Sequence, residues 1–145
     1  MLAEKLINDI PKNSCVLAYN MMFEKMVIKN LASLYDDLSE HLMNIYDNMQ
    51  DLMVVFQRRD YYTKEMHGSY SIKYVLPALF PNDPELDYHN LELIHNGSEA
   101  SNSYVILSEL SKERQDEIKK SLLKYCELDT YAMVKIWQKL NEVIK

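Results

Sequence analysis

The sequence has few of the residues that mark nucleotide-binding loops, disulfide scaffolds and membrane segments. Gly68 and Gly97 are its only glycines, whereas a P-loop or a dinucleotide-binding turn needs several that are closely spaced. Cys15 and Cys126 are its only cysteines, which favours a reduced intracellular setting. No apolar run approaches the roughly 18 residues that span a bilayer, and the start has no apolar block before a cleavage site. We therefore expect a cytoplasmic protein with no membrane association.

What is present indicates an ordinary globular domain. The 145 residues are 48% hydrophobic and 26% charged, and a chain of this length fits a single domain with a sizeable core. The net charge of −6 argues against a broad electrostatic surface for nucleic acid. It does not exclude an acidic metal site, because a bound cation supplies the positive charge there.

The N-terminal half is predicted to contain helices and strands. A helix is expected over residues 2–9, ended by Pro11, and a strand over residues 14–19 that is buried on both faces. The segment 51–56, "DLMVVF", fits a strand or a short extended segment. Two intervening helices have inward-facing side chains every three or four residues: Phe23, Val27, Leu31 and Leu34 in the first, and Leu38, Leu42, Ile45 and Met49 in the second.

The C-terminal half is predicted to consist of helices and loops. A short helix follows a cap-type serine and is kinked or stopped by Pro77. Ser98 is expected to cap the next helix. The longest helix runs over residues 112–143 and could break near Ser121. No internal repeat or linker interrupts the chain, so the sequence predicts one unit.

Asp129 interrupts the apolar stripe of the long helix. It lies four residues after Tyr125 and three before Ala132, and both of these belong to the core-facing side. A lone carboxylate facing a core is costly unless something pairs with it. Two interpretations remain open: a backbone amide or a lysine satisfies Asp129, or a metal ion or bound group holds it beside Tyr125.

The stretch "CVLAYNMMFEK", residues 15–25, places polar groups directly after an apolar strand. Asn20 is expected to cap the first turn of the following helix with its side chain. Glu24 then lies in that first turn, where the helix dipole favours an acid. This account needs no function, but α/β folds also bind their ligands at such strand ends.

Two short motifs resemble those of a known enzyme family. "NMMFE", residues 20–24, and "YCELD", residues 125–129, resemble the second and third motifs of the DnaQ-like 3′–5′ exonucleases of the ribonuclease H-like fold. The third motif would be the tyrosine variant. The resemblance implies a helix-rich α/β chain with few strands, as a truncated ribonuclease H-like fold, and a site for two Mg²⁺ or Mn²⁺ ions.

The resemblance also assigns roles to individual residues. Glu24 and Asp129 would be metal ligands and, with Tyr125, catalytic residues, with Tyr125 orienting the attacking water or contacting the phosphate. Asn20 and Phe23 would shape the second motif on the substrate side. Glu24 and Asp129 are then expected to converge within a few ångströms at the end of the strand.

The chain departs from the exonuclease pattern at two points. The first motif of the family is a D-x-E on an upstream strand, and here the only D-x-E is Asp83–Glu85, in a loop after the second motif. Glu24 also stands where the family usually has Asp. We therefore expect the C-terminal portion of a longer exonuclease domain, catalytically incomplete as an isolated chain.

A second resemblance covers more of the chain. "GSYSIKYVLPALFP", residues 68–81, and "YCELDTYAMVKIW", residues 125–137, resemble an uncharacterised bacterial domain, the domain of unknown function 2779 family. The resemblance extends from about Asn13 to Leu140. An alternative is therefore a non-catalytic scaffold or protein-interaction module of the same fold, which packs against its parent protein or forms a homodimer through exposed apolar surface. An unrelated helical interaction domain is a third interpretation.

The segment "RRDYY", residues 58–62, is a weaker indication of substrate binding. Arg58 and Arg59 could contact a phosphate backbone while the neighbouring tyrosines stack on bases. Single-stranded DNA or RNA is the ligand that this arrangement would suit. Such a loop is more often simply solvated.

Overall fold

The computed structural model describes residues 1–91 and 93–144. The chain divides into two compact units, Met1–Tyr61 and Tyr62–Lys145. The first unit contains a small sheet flanked by helices. The second is built from helices and short 3₁₀ turns in the part of it that the structure describes.

The first unit places two short strands side by side through a helical crossover. Its elements in chain order are α1 (Leu2–Asp9), β1 (Val16–Ala18), α2 (Met22–Leu34), α3 (Ser39–Asp47), β2 (Met49–Asp51) and α4 (Met53–Gln57). The strands are parallel, with Val16 opposite Met49 and Ala18 opposite Asp51. Parallel neighbours need such a crossover because a tight hairpin joins only antiparallel strands.

The core of the first unit lies between the helices and the inner side of the sheet. α2 packs mainly against α3. The core side chains share an exposure of 6% or less: Ala3, Ala18, Ile28, Ala32, Leu42, Ile45 and Met49. The predicted helix over residues 2–9 is confirmed by α1, and the predicted positions Leu42 and Ile45 are buried in α3.

The two segments that were predicted to be strands, residues 14–19 and 51–56, form strands only in part. β1 has three residues, of which only Ala18 is buried, and Cys15 is exposed. The prediction of a strand buried on both faces is therefore wrong. The prediction for residues 51–56 is also wrong, because β2 ends at Asp51 and α4 begins at Met53. The core packs against only one face of this two-stranded sheet, so neither strand is buried on both faces.

The buried side of α2 is rotated from the predicted one. Ile28 and Ala32 face the core, whereas Phe23 and Leu34 are 66% and 72% exposed. Both stripes have helical spacing, since α2 carries apolar residues around most of its circumference. The periodicity thus identified the helix correctly. Of the predicted inward positions, Leu31 packs against the core, whereas Phe23 and Leu34 are exposed.

The second unit is dominated by one long helix. Its elements in chain order are a 3₁₀ turn (Lys64–Met66), α5 (Ile72–Leu79), two 3₁₀ turns (Pro84–Leu86 and Tyr88–Asn90), α6 (Gly97–Val105), a 3₁₀ turn (Leu107–Glu109) and α7 (Lys112–Ile144). α7 runs for 33 residues without a break at Ser121. Its buried residues are Ile118, Leu128, Ala132 and Ile136, which face α5 and the turns.

The shorter helices of this unit follow local capping chemistry. α6 begins two residues earlier than predicted, because the side chain of Asn96, not Ser98, accepts a 3.0 Å hydrogen bond from the Glu99 backbone N–H. The Glu99 carboxylate in turn accepts from the His95 N–H at 2.8 Å, as in a capping box. Pro77 lies inside α5, which ends two residues later at Leu79.

The observed fold class is therefore helix-rich with a small parallel two-stranded sheet, as far as the described residues go. This part of the prediction is confirmed. Assignment to a ribonuclease H-like fold stays a prediction. None of the helices in the described ranges combines the length and apolar character that crossing a bilayer requires.

Candidate functional site around Asp129

Asp129 is held in the second unit by tyrosine hydroxyls. It lies on α7, half-buried, and its Oδ1 accepts a 2.6 Å hydrogen bond from the hydroxyl of Tyr88. The hydroxyl of Tyr125, one turn earlier on α7, is close enough to this carboxylate to lower its pKa. The rings of Tyr88 and Tyr125 lie 6.1 Å apart between centroids, in a tilted arrangement. The prediction that Asp129 faces the core is confirmed, but tyrosines satisfy it, not a backbone amide or a directly paired lysine.

Burial controls the charges of this cluster. Desolvation raises the pKa of Asp129, while the hydrogen bond from Tyr88, the hydroxyl of Tyr125 and the positive charge of Lys73 lower it. Burial also raises the pKa of both tyrosines well above their usual range, with Asp129 adding to the effect. Both hydroxyls thus remain protonated donors at neutral pH. The carboxylate keeps a desolvation cost that an additional cationic or hydrogen-bonding partner would offset.

A cleft adjoins this cluster on the side of the loop after α5. It has a volume of about 650 Å³, and both Lys73 and Tyr88 line it together with Phe80, His89 and His95. Its lining combines apolar and polar side chains, as in many ligand-binding clefts. The cleft is therefore lined by Lys73 and Tyr88, two of the side chains that lower the pKa of Asp129.

Cys126 is next to the cluster in sequence but is not activated by it. Burial and the negative charge of Asp129 raise the pKa of the Cys126 thiol. A thiol is a weak nucleophile and a poor metal ligand until it ionises. Cys126 is therefore expected to remain a thiol at neutral pH.

The second-motif residues lie at the start of α2, in the first unit. Glu24 is exposed in the first turn of the helix, as predicted. Phe23 is exposed as well. Asn20 adopts a left-handed backbone conformation with φ of 64°, and no side-chain hydrogen bond caps α2. The predicted capping role of Asn20 is therefore wrong.

Asp51, and not Asn20, provides the side-chain acceptor at this junction. Its carboxylate accepts backbone hydrogen bonds from Asn20 at 2.9 Å, Met21 at 3.1 Å and Met53 at 2.9 Å. Asp51 thus joins the end of β1 to the starts of α2 and α4. The available signal was an acidic residue two positions before a helix, which the strand-like appearance of "DLMVVF" obscured.

The two arginines lie at the end of α4. Arg58 follows the last helical residue and Arg59 has a left-handed φ of 61°. Both side chains are exposed. They are accessible to a ligand, and nothing in their backbone contacts requires a function.

The structure therefore brings Tyr125 and Asp129 together and leaves Glu24 in the other unit. Within residues 1–91 and 93–144, no group of three or more His, Cys, Asp or Glu side chains is arranged to hold a metal ion. These residues do not fit a self-contained metal centre. Mg²⁺ or Mn²⁺ binding would need ligands from elsewhere.

Two similarities to known sequences were found. The model of a family described as "Domain of unknown function (DUF2779)" matches residues 1–71, which include the whole first unit and end where α5 begins. The chain is also 28% identical, over 156 aligned residues, to the uncharacterized protein MG366 of Mycoplasma genitalium. That alignment covers 98% of the chain but only 23% of the relative. No solved structure matches the chain.

These similarities support only part of the expected resemblance. The family match was expected from about Asn13 to Leu140, and it covers the chain only to residue 71. Residues 125–137, which suggested both resemblances, lie outside it. Neither similarity supports the likeness to DnaQ-like exonucleases.

Proposed function

We propose that this chain is the C-terminal portion of a 3′–5′ exonuclease-like domain that acts on single-stranded DNA or RNA and contributes Tyr125 and Asp129 to its active site. The observation that carries the proposal is the pairing of these two side chains on successive turns of α7. A tyrosine hydroxyl beside a half-buried carboxylate is the arrangement that the third-motif resemblance requires. The isolated chain is expected to be inactive.

The electrostatics of Asp129 agree with a role beyond packing. Desolvation is the largest influence on its pKa and is only partly opposed by its hydrogen bonds. Charged groups with such an imbalance occur often at functional sites, although structural networks produce it as well. In this proposal Mg²⁺ or Mn²⁺ would be bound with ligands outside the described residues, because these lack a sufficient donor set.

The test is a degradation assay with the complete gene product that contains these 145 residues. The substrates are 5′-labelled single-stranded DNA and RNA, each with Mg²⁺, with Mn²⁺ and with excess chelator. Asp129→Asn is expected to lower the rate of stepwise shortening roughly 10- to 100-fold or more. Asp116→Asn is the matched control, because Asp116 is an exposed carboxylate on the same helix. Equal rates for the two variants would overturn the role of Asp129.

A non-catalytic interaction module is the second candidate, and it too is favoured by a specific contact. The 2.6 Å hydrogen bond from Tyr88 already satisfies one oxygen of Asp129 within the protein. Absence of degradation of every substrate by the wild-type gene product, with folding intact, would favour this candidate. Glu24→Gln tests the second motif separately, since the exposed Glu24 can be replaced at little cost to stability.

A further inference from the structure

One side of α7, part of which lines a cleft with Pro84, Asp87 and Leu91, presents an apolar stripe. Leu123, Val134 and Trp137 are 71%, 45% and 47% exposed, and Cys126 and Thr130, which lie between them, are exposed as well. The five positions are separated by three, four, four and three residues. At about 100° per residue they fall within an arc of about 80°, so they form one continuous strip, which we call the α7 stripe. This spacing is typical of a helix that packs lengthwise against another helix.

The hydroxyl of Thr130 is already satisfied within α7. The Thr130 hydroxyl donates to the carbonyl of Cys126 at 2.9 Å. At the C-terminal end, the Asn141 amide donates to the carbonyl of Trp137 at 2.8 Å. Covering the stripe would thus leave these hydrogen bonds intact and would avoid the cost of burying unpaired polar groups.

The charges beside the stripe indicate what would cover it. One flank of α7 carries charges in the order Lys120, Lys124, Glu127, Lys135 and Glu142. Within the chain, Lys135 lies over the rings of Phe80 and Tyr131, and Glu142 pairs with Lys139 at 3.4 Å. If a second α7 lies antiparallel with a two-fold axis near Thr130, Lys120 faces Glu142 of the other copy and Glu127 faces its Lys135. In a parallel two-fold pair this flank would instead face the opposite flank of the other helix, where Leu122, Met133 and Leu140 offer no charge to pair with it. The charge order therefore favours an antiparallel pair of identical helices.

We propose that the chain self-associates through the α7 stripe, with α7 packed antiparallel against α7 of a second copy. The stripe from Leu123 to Trp137 is about 21 Å long at 1.5 Å per residue, which is four turns of contact. Apolar burial would supply the affinity, and the flanking charges would set the orientation, because exposed ion pairs contribute little energy. This inference is independent of the proposed exonuclease activity.

Sedimentation equilibrium of the 145-residue chain over a concentration series tests the association. The wild type is expected to shift from monomer to dimer, and Val134→Glu to weaken the dimer at least tenfold. Val105→Glu is the matched control, because Val105 is 75% exposed on α6 of the same unit and lies off the stripe. Trp137 is the only tryptophan, so its emission should shift to the blue as the wild type associates. A wild type that stays monomeric, or a dimer that survives Val134→Glu, would overturn the proposal.

Cysteine cross-linking tests the orientation. In the antiparallel pair the Cys126 residues of the two copies are about 15 Å apart along the helix axis, which is too far for a disulfide. A Cys15→Ser chain should therefore stay uncross-linked under mild oxidation. Addition of Cys126→Ser and Thr130→Cys should give a covalent dimer. Cross-linking through Cys126 would indicate a parallel pair and contradict the proposed orientation.

A charge exchange provides a second test of orientation. Lys120→Glu is expected to weaken the dimer several-fold, because the new carboxylate would then face Glu142 of the other copy. The double variant Lys120→Glu with Glu142→Lys should restore the wild-type affinity. Equal weakening by the single and double variants would overturn the pairing.

Discussion

The hydroxyl of Tyr88 donates a 2.6 Å hydrogen bond to Oδ1 of Asp129 and thereby joins the loop after α5 to the middle of α7. The two residues are 41 positions apart in the sequence. Tyr88 is buried and also lines the cleft beside the cluster. A ligand that approaches Asp129 from this cleft must share the carboxylate with Tyr88 or displace its hydroxyl.

The buried tyrosines predict how the protein responds to alkaline pH. Burial raises the pKa of Tyr19, Tyr88 and Tyr125 above the usual value near 10. A group whose pKa is raised by folding contributes stability that is present below its unfolded pKa and is lost as the pH rises toward its folded value. We therefore expect stability to fall above about pH 10.

Absorbance at 295 nm checks this pH dependence. Tyr19, Tyr88 and Tyr125 should ionise only together with unfolding. Tyr88→Phe should reduce the loss of stability above pH 10, whereas Tyr104→Phe, at a position 70% exposed, should leave it unchanged. Ionisation of all eleven tyrosines in a still-folded chain would show that none of them is protected by burial.

Asp51 is predicted to be the main local stabiliser at the strand ends. Its carboxylate accepts three backbone hydrogen bonds, so Asp51→Ala should lower the free energy of unfolding by about 1–3 kcal/mol. Asp51→Asn keeps one acceptor oxygen, so its free energy of unfolding should lie between those of the wild type and Asp51→Ala. Urea denaturation measures the change, with Asp37→Ala at an exposed position as the control. A cost no larger than that of the control would show that water replaces these bonds freely.

The observed inner side of α2 predicts that two alanine substitutions lower the free energy of unfolding by very different amounts. Ile28 is 6% exposed in the core of the first unit, so Ile28→Ala should cost about 2–4 kcal/mol. Phe23 is 66% exposed and Phe23→Ala should change the stability by less than about 0.5 kcal/mol. Urea denaturation of both variants decides between the observed stripe and the one inferred from periodicity. A larger cost for Phe23→Ala would restore the stripe inferred from periodicity.

The elements that could be predicted from the sequence are those with a repeated apolar pattern or a local helix-ending residue. α1 and α7 have sustained apolar periodicity, and α1 is followed by Pro11, so both were identified with nearly correct bounds. The strand-like appearance of residues 51–56 was misleading because the β-branched pair Val54 and Val55 also fits a short helix. Asn96 caps α6 in place of Ser98, because its side-chain oxygen accepts from the backbone N–H of Glu99.

The candidate site was predictable only in part. Helical spacing placed Asp129 beside Tyr125 and toward the core, and both features are observed. The donor that satisfies Asp129 was not predictable, since Tyr88 lies in a loop without periodicity, and its position depends on tertiary packing. Asn20 and Asp51 show the same limit, because the acceptor for the backbone N–H of Met21, just before α2, comes from a strand 30 residues later in the chain.

The central claim is that Asp129 is an active-site residue and not only a structural hydrogen-bond partner of Tyr88. Its most direct test compares the degradation rate and melting temperature of the complete gene product for Asp129→Asn and Tyr88→Phe. Both variants weaken the same hydrogen bond, so both should lower the melting temperature. The account predicts that only Asp129→Asn abolishes degradation, while Tyr88→Phe keeps most of the wild-type rate. Rates that fall equally in both variants, in step with stability, would show that Asp129 has a structural role alone.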